Sequence, residues 1–248
     1  MEIIDAFWEK RNLGIETKEI ILHADDSVSV IEHFFDSLSS EKLYLVVKVP
    51  VGRHDFIHFL TRKGFCFVES LFKMSIRLDT FRLPESFRRF DDKLKYKILT
   101  TVDDFKRLET EIKKGIFVTD RIAIDANFGI EVASNRYFNW IKDEIQKGSE
   151  VFEILYRETA IGFFTLKNVS NGKYNGFLAG MYRNDYSLGF GFSILSKPII
   201  ELKNRKAKIY FGHVSSNNLP IMRLLINFGY LPDEVFYVMT KINNNKNE

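Results

Sequence analysis

Two glycines, Gly189 and Gly191, stand between a strand-like run and an apolar helix-like run in the segment KYNGFLAGMYRNDYSLGFGFSIL. At such a junction backbone N–H groups can converge on phosphate, and the helix dipole adds a modest attraction. A Cβ at those positions would obstruct a phosphate brought within hydrogen-bonding distance of the backbone. Taken alone, a Gly-x-Gly reads first as a plain structural turn. Further along, AKIYFGHVSSNNLPIMRLLINFGY sets Ser215, Ser216, Asn217 and Asn218 between a strand pattern and a short amphipathic helix ending at Gly229. Asn218 precedes Pro220 and is a good N-cap, while its amide keeps donors and an acceptor for other work. The chemistry this suggests is anion binding by main chain, with no metal. His54 and His58 are spaced four apart, as ligands on one helix face would be, but no third ligand accompanies them and they read as packing or surface.

Asn218 is followed three, four, six, seven and ten positions on by Ile221, Met222, Leu224, Leu225 and Phe228, and then by Gly229 and Tyr230. That pattern resembles the later signature of the GNAT superfamily of acyl-CoA-dependent N-acetyltransferases. The earlier signature, Arg or Gln followed by x-x-Gly-x-Gly, is met in part by residues 186–191: the glycines stand and the leading Arg or Gln does not. The resemblance implies acetyl-CoA as acyl donor, its arm seated in a wedge between two strands that end near Tyr182 and Val214. It sets Met181, Tyr182 and Arg183 beside the pantetheine arm and Tyr186, Ser187, Leu188, Gly189, Phe190 and Gly191 around the pyrophosphate, with Asn218 completing the cofactor set. In many family members a Tyr seven residues after the Asn protonates the departing thiolate. Leu225 holds that position here. Tyr182 and His213, near the mouths of the two strands, are the candidate replacements, and each is otherwise an ordinary strand residue.

Those groups need a scaffold, and length and composition bound it. At 248 residues, 45% apolar and 28% charged, the chain suits one large or two small soluble domains. A net charge of +3 is too mild to point to nucleic acid. The single cysteine, Cys66, forms no intramolecular disulfide, so nothing suggests an oxidising compartment; it falls in an apolar strand run and reads as inert core. The start, MEIIDAFWEK, lacks the pattern of a signal peptide, and no apolar run approaches the ~18–20 residues of a membrane span. The expected location is the cytoplasm, without membrane contact. The tail NNNKNE is polar and aperiodic, and is expected to fray.

Along the chain, Val28, Ile31, Phe34, Phe35 and Leu38 recur at helical spacing after the capping types Asp25, Asp26 and Ser27, and LYLVVKVPV follows as a buried strand. The next segment, RHDFIHFLTRKGFCFVESLFKMSI, overlies the late motif when shifted by 165 residues: Arg53 on Asn218, Ile57 on Met222, Leu60 on Leu225, Gly64 on Gly229 and Phe65 on Tyr230. Helix–Gly–strand is a common unit; the alternative is a degenerate partial copy of the same fold, lacking the cofactor Asn. Residues 79–93 lose apolar periodicity and carry Pro84, which places a boundary there and gives domains 1–93 and 94–248. KYKILTT opens the second domain as a strand. Thr101 and Asp104 are close to a capping box for a helix with Phe105, Leu108 and Ile112 on one face, closing at Gly115.

Ala133, Tyr137, Trp140, Ile141 and Ile145 form the apolar face of a further helix, with Gly148 beyond its end. The loop before it carries Asp-Arg-Ile-x-x-Asp, and with the helix's Arg-Tyr and Trp-Ile-x-Asp-Glu it is similar to the bacterial sugar-nucleotide acetyltransferases related to the dTDP-fucosamine enzyme. That resemblance implies an acceptor border formed by Asp120, Arg121, Asp125 and Asn127, residues that otherwise brace the loop. VFEILYR and AIGFFTLKN read as a hairpin turning at Glu158-Thr159, with a strand over residues 177–182 next. Lys203 to Lys208, after the phosphate-loop helix, read as a solvated basic cluster, the alternative being an approach to the cofactor's 3′-phosphate. The expected fold is α/β, a GNAT-type mixed and mostly antiparallel sheet flanked by helices, with an N-terminal partial domain of related shape. The expected partner is a small amine, an amino-sugar nucleotide of 4-amino-4,6-dideoxyhexose type used in surface polysaccharide synthesis, with a homodimer possible. Another small amine, or an acyl-CoA-binding module without catalysis, are the alternatives.

Overall fold

The computed structural model describes residues 1–38 and 42–243. The expected frayed tail beyond Asn243 lies outside the described residues. In chain order the elements are β1 (Glu2–Asp5), α1 (Phe7–Leu13), β2 (Thr17–Ile21), α2 (Val28–Ser37), β3 (Leu43–Pro50), α3 (His54–Arg62), β4 (Cys66–Arg77), α4 (Glu85–Asp91), β5 (Leu94–Ile98), α5 (Val102–Lys113), α6 (Ile130–Gln146), β6 (Glu150–Tyr156), β7 (Thr159–Ser170), β8 (Lys173–Asn175), β9 (Ala179–Met181), α7 (Ser193–Asn204), β10 (Ile209–Ser215), α8 (Leu219–Asn227) and β11 (Leu231–Asn243). They divide into two compact units. One comprises residues 1–72, 215–217 and 234–248; the other comprises 73–214 and 218–233.

In the first unit β1 pairs antiparallel with β2, β2 parallel with β3, and β3 antiparallel with β11 from Leu43↔Asn243 to Pro50↔Phe236. Five consecutive residues of β3, Leu43 to Val47, are buried, as a strand covered on both faces must be. Ser27 caps α2 by accepting the Val30 N–H, and Ile31 and Phe35 carry the helix onto a core with Val47, Phe56 and Leu60. The segment MEIIDAFWEK, which carried no structural expectation, is β1 and the start of α1.

The shifted repeat reappears as the same helix ending built twice. Gly64 and Gly229 are left-handed at φ 83° and 82°. Phe65 N–H reaches Leu60 O at 3.0 Å, and Tyr230 N–H reaches Leu225 O at 3.0 Å, each of the latter residues being 165 positions beyond its counterpart. Both are closures in which a glycine past the helix end lets the next N–H return to an unpaired carbonyl. Cys66, however, is exposed. Phe65 takes the buried place, while Cys66 and Phe67, the first two residues of β4, both face outward, which corrects the core assignment.

In the second unit β5, β6 and β7 form an antiparallel run, with Lys97↔Glu153↔Phe163 in one row. The α/β class with a mixed, mostly antiparallel sheet flanked by helices is as expected. The β6–β7 turn falls at Arg157-Glu158, one residue ahead of its expected place. Both residues are left-handed, at φ 48° and 62°, the geometry a two-residue hairpin needs. Thr101 and Asp104 make a full capping box at the start of α5, and Leu108 and Ile112 are fully buried against Ile141 of α6. Within the boundary segment 79–93 stands an unexpected helix, α4. Its seven residues have weak helical preference, and tertiary contacts hold them. Lys197 Nζ donates to Asp91 Oδ2 at 2.8 Å and to Asp91 O at 2.9 Å, Ser196 Oγ donates to Asp91 Oδ1 at 2.6 Å, and Phe87 stacks on Phe192 with centroids 4.8 Å apart.

Candidate active site

The strand expected over residues 177–182 is shorter, β9 at Ala179–Met181, and the break that separates it from β8 makes the site. β8 runs parallel to β10 with Tyr174↔Tyr210 and Asn175↔Phe211, and the pairing ends where Gly176 N–H donates to Phe211 O at 2.8 Å. The chain then steps away. β9 pairs with β7 alone, Gly162↔Met181 and Phe164↔Ala179, while β10 continues to Ser215. Thr165 of β7 holds the step open. Its buried Oγ1 accepts the Leu178 N–H at 2.9 Å and donates to Leu178 O at 2.8 Å, satisfying both main-chain groups at the break. The result is a fork between β9 and β10 with its apex at Gly176.

Main-chain polarity in the fork follows from strand alternation. Tyr182 N–H donates to Ile161 O of β7 at 2.8 Å, so the N–H and C=O of Met181 are turned to the open side. Phe211 O faces β8, so two residues on the groups of His213 face the fork. At the mouth, Asn184 Oδ1 accepts the Ser187 N–H at 3.0 Å and Asn184 Nδ2 donates to Ala160 O at 3.0 Å, tying residues 185–187, a single three-ten turn, to β7. The chain then passes Gly189 at φ 81° and enters α7, whose first residue, Ser193, sends its hydroxyl to the Met181 sulfur at 3.6 Å. Among the described residues, the N–H groups of Leu188, Gly189, Gly191, Phe192 and Ile194 have no main-chain acceptor. A Cβ on Gly189 or Gly191 would meet nothing within 4 Å, so these amides border open space. Unpaired donors, open space and a twelve-residue helix beginning there fit a diphosphate.

The expected site residues divide on this geometry. Met181 lies on the fork, and Arg183, Tyr186 and Leu188 are exposed at its mouth. Ser187 is committed to Asn184 through both its N–H and its hydroxyl, and Phe190 packs on Tyr156 with centroids 4.7 Å apart. Asn218 is the N-cap of α8, its Oδ1 accepting the Ile221 N–H at 3.3 Å. Leu225 is buried in the same helix.

Tyr182 and His213 part company. His213 is exposed on the β10 face that carries Phe211. Tyr182 is 2% exposed and packs with the α5–α6 core, its hydroxyl donating to Glu153 Oε1 at 3.1 Å. Arg107 grips that carboxylate with two bonds of 2.9 and 2.6 Å, and Asp104 joins through Arg107 and Lys97. Burial, then the Glu153 charge, pushes the Tyr182 hydroxyl far above its ordinary value, which makes it a poor proton source.

The loop ahead of α6 braces itself. Asp120 Oδ1 accepts the Ala123 N–H at 2.6 Å, and Asp125 Oδ1 accepts both the N–H and the Nδ2 of Asn127 at 2.9 and 2.8 Å. Arg121 is half-buried, and Arg136 approaches Asp120 Oδ2 at 3.9 Å. Beside the fork, a Cβ on Gly180 would meet Ile116 and Phe117 at 3.0 and 3.3 Å, and Trp140 of α6, expected on that helix's apolar face and still 36% exposed, packs on Phe177 at the fork's base. Two open recesses lie elsewhere, one of about 290 Å³ beside the β6–β7 turn and one of about 710 Å³ lined by Arg77, Lys203, Lys206 and Lys208. A thin chain entering between strands needs main-chain partners more than enclosed volume, so the fork remains the candidate. His54 and His58 are both exposed on α3.

The fold is that of the GCN5-related N-acetyltransferases. A GCN5-related N-acetyltransferase from Sphaerobacter thermophilus superposes with a TM-score of 0.63 at 10% identity, covering 97% of this chain and 75% of that one. A glucosamine N-acetyltransferase region of a fungal multi-domain GH3 β-N-acetylglucosaminidase gives 0.62 at 10% identity, with 97% and 31% covered. A tandem GNAT protein from the clavulanic acid biosynthesis pathway gives 0.56 at 12% identity, with 92% and 75% covered. No family model matches the sequence, and no curated protein matches it.

Proposed function

We propose that this chain is an acyl-CoA-dependent N-acetyltransferase that moves an acetyl group from acetyl-CoA to the amine of a small acceptor. The observation that carries the reading is the fork at Gly176 with unpaired amides at its mouth. Acetyl-CoA supplies an activated acyl group as thioester. The Met181 main chain is turned to pair with an extended arm, and a main-chain N–H in the fork can polarise the thioester carbonyl. The amides of residues 188–194 suit the diphosphate. The acceptor amine must arrive neutral, approaching from the α6 side, where Trp140, Phe177 and His213 border the fork.

For the acceptor we favour an amino sugar carried on a nucleotide, on the strength of the Asp120, Arg121, Asp125 and Asn127 loop and its resemblance to the sugar-nucleotide enzymes. The glucosamine N-acetyltransferase region among the similar structures is in keeping with amino-sugar chemistry on this fold. We regard residues 1–93 as a partial copy of the fold, supported by the twice-built helix ending at Gly64 and Gly229. The test has two stages. Acetyl-CoA is expected to raise the melting temperature, since a ligand selective for the folded state stabilises it; no rise refutes the reading. Thiol release is then followed with amino-sugar nucleotides, free amino sugars and amino acids. Release with amino acids alone refutes the sugar acceptor, and binding without release from any amine identifies a silent acyl-CoA module.

A further inference from the structure

Resting on the reading that the fork seats a thioester, we propose that the Tyr210 hydroxyl donates a hydrogen bond to the departing sulfur, the task for which Leu225 has no group. Tyr210 lies opposite Tyr174 in the parallel pair of β10 and β8, but its oxygen stands two residues further along. A Cβ built on Gly176 would be 2.0 Å from the Tyr210 hydroxyl and 2.6 Å from Cζ. The ring therefore runs in the strand direction, toward the apex where the two strands part. Gly212 shares that sheet face by alternation, and a Cβ there would meet Gly176 O at 2.9 Å. The hydroxyl thus stands at the apex, in room that exists because Gly176 carries no side chain.

Packing alone does not account for the oxygen. Tyr210 is 5% exposed, burial raises its hydroxyl, and the buried Tyr230 hydroxyl interacts with it electrostatically, while no hydrogen bond to its oxygen forms among the described residues. Phenylalanine would fill the same core without carrying a hydroxyl to its edge. In the transfer the amine nitrogen bonds to the acetyl carbon, the C–S bond breaks, and its electron pair stays on sulfur; the amine's proton leaves to water. Burial lifts the phenol above the ordinary thiol range, so Tyr210 keeps its own proton and stabilises the thiolate by hydrogen bonding. Water then protonates the sulfur.

The test reads the thiol itself and needs no acceptor. Coenzyme A bound to wild type and to Tyr210→Phe is titrated by its ultraviolet thiolate absorbance. Loss of a hydrogen bond to a charged sulfur is expected to raise the bound thiol's pKa by about one unit; identical titrations overturn the assignment. Gly176→Ala, whose methyl displaces the oxygen, gives the same upward shift, and decides the matter should Tyr210→Phe fail to fold. Tyr230→Phe, whose ring packs beside Tyr210 with centroids 6.4 Å apart, leaves the titration at the wild-type value, and an equal shift there overturns the proposal in favour of general packing. If coenzyme A does not raise the wild-type melting temperature, the cofactor reading falls and this one with it. Binding with unaltered titrations removes Tyr210 alone.

Discussion

Gly191→Ala separates the phosphate loop's binding role from its structural one. Gly191 is not left-handed, and an added Cβ meets nothing within 4 Å, so alanine fits the unliganded protein. By restricting the unfolded chain it is expected to stabilise by ~0.4–1 kcal/mol. In a chain of 248 residues, 1 kcal/mol moves the melting temperature by about 2–4 °C, so the unliganded variant should melt at or slightly above wild type. With acetyl-CoA at a hundred times its Kd, wild type gains about 2.7 kcal/mol, or about 5–10 °C. The methyl stands among the donors meant for the diphosphate. If it weakens affinity tenfold, about 1.4 kcal/mol of that gain goes and the ligand shift halves. The assay is thermal melting of both proteins with and without acetyl-CoA at fixed concentration. A variant that keeps the whole ligand shift would show that the diphosphate is not seated on this loop, whatever else binds acetyl-CoA.

Three further outcomes follow from buried contacts. Lys197→Met removes the cation beside buried Asp91 and should cost about 3–5 kcal/mol by urea denaturation, whereas a loss under 1 kcal/mol would mean that α4 does not depend on the pair. Thr165→Val keeps the shape but strands the N–H and C=O of Leu178; at about 1–3 kcal/mol per buried orphan it should lower stability and weaken acetyl-CoA binding together, and unchanged binding would detach Thr165 from the fork. Lys97, and after it Arg107, hold the Asp104 carboxyl well below its ordinary value of 3.8, so its contribution is complete above that pH and drains away as pH falls beneath it. Asp104→Asn should therefore be less stable than wild type at neutral pH and lose less on acidification, and parallel acid curves would refute the linkage.

What the sequence made legible was whatever local pattern decides. Ser27 and α2, the Thr101–Asp104 box, and the Gly64 and Gly229 endings are set by residues three to five apart, and the chain announces them. What it concealed was decided at a distance. The break between β8 and β9 depends on a hydroxyl thirteen residues earlier in β7, and α4 depends on Lys197, more than a hundred residues later. Cys66 looked like core because its neighbours are apolar, yet β4 opens with two exposed residues, Cys66 and Phe67. Tyr182 looked like a free hydroxyl at a strand end, and Glu153 and Arg107 have claimed it.

That last substitution bears on how the site divides its labour. Tyr182 and Tyr210 lie on opposite faces of the sheet: Tyr182 packs with α5 and α6, whereas Tyr210 shares a face with Gly176 and Gly212, away from Phe177 and Trp140. The face bearing Tyr182 has its hydroxyl bonded to buried Glu153, which Arg107 grips in turn, and this rigidifies β9 but leaves no proton or donor to spare. The opposite face has a hydroxyl with no such commitment at the fork's apex. A donor held by another partner must break that bond to serve a developing charge, whereas an uncommitted one need only turn. The two tyrosines are therefore unequal candidates on energetic grounds alone, and the better one belongs to β10, in a position that a reading of strand residues passes over as core.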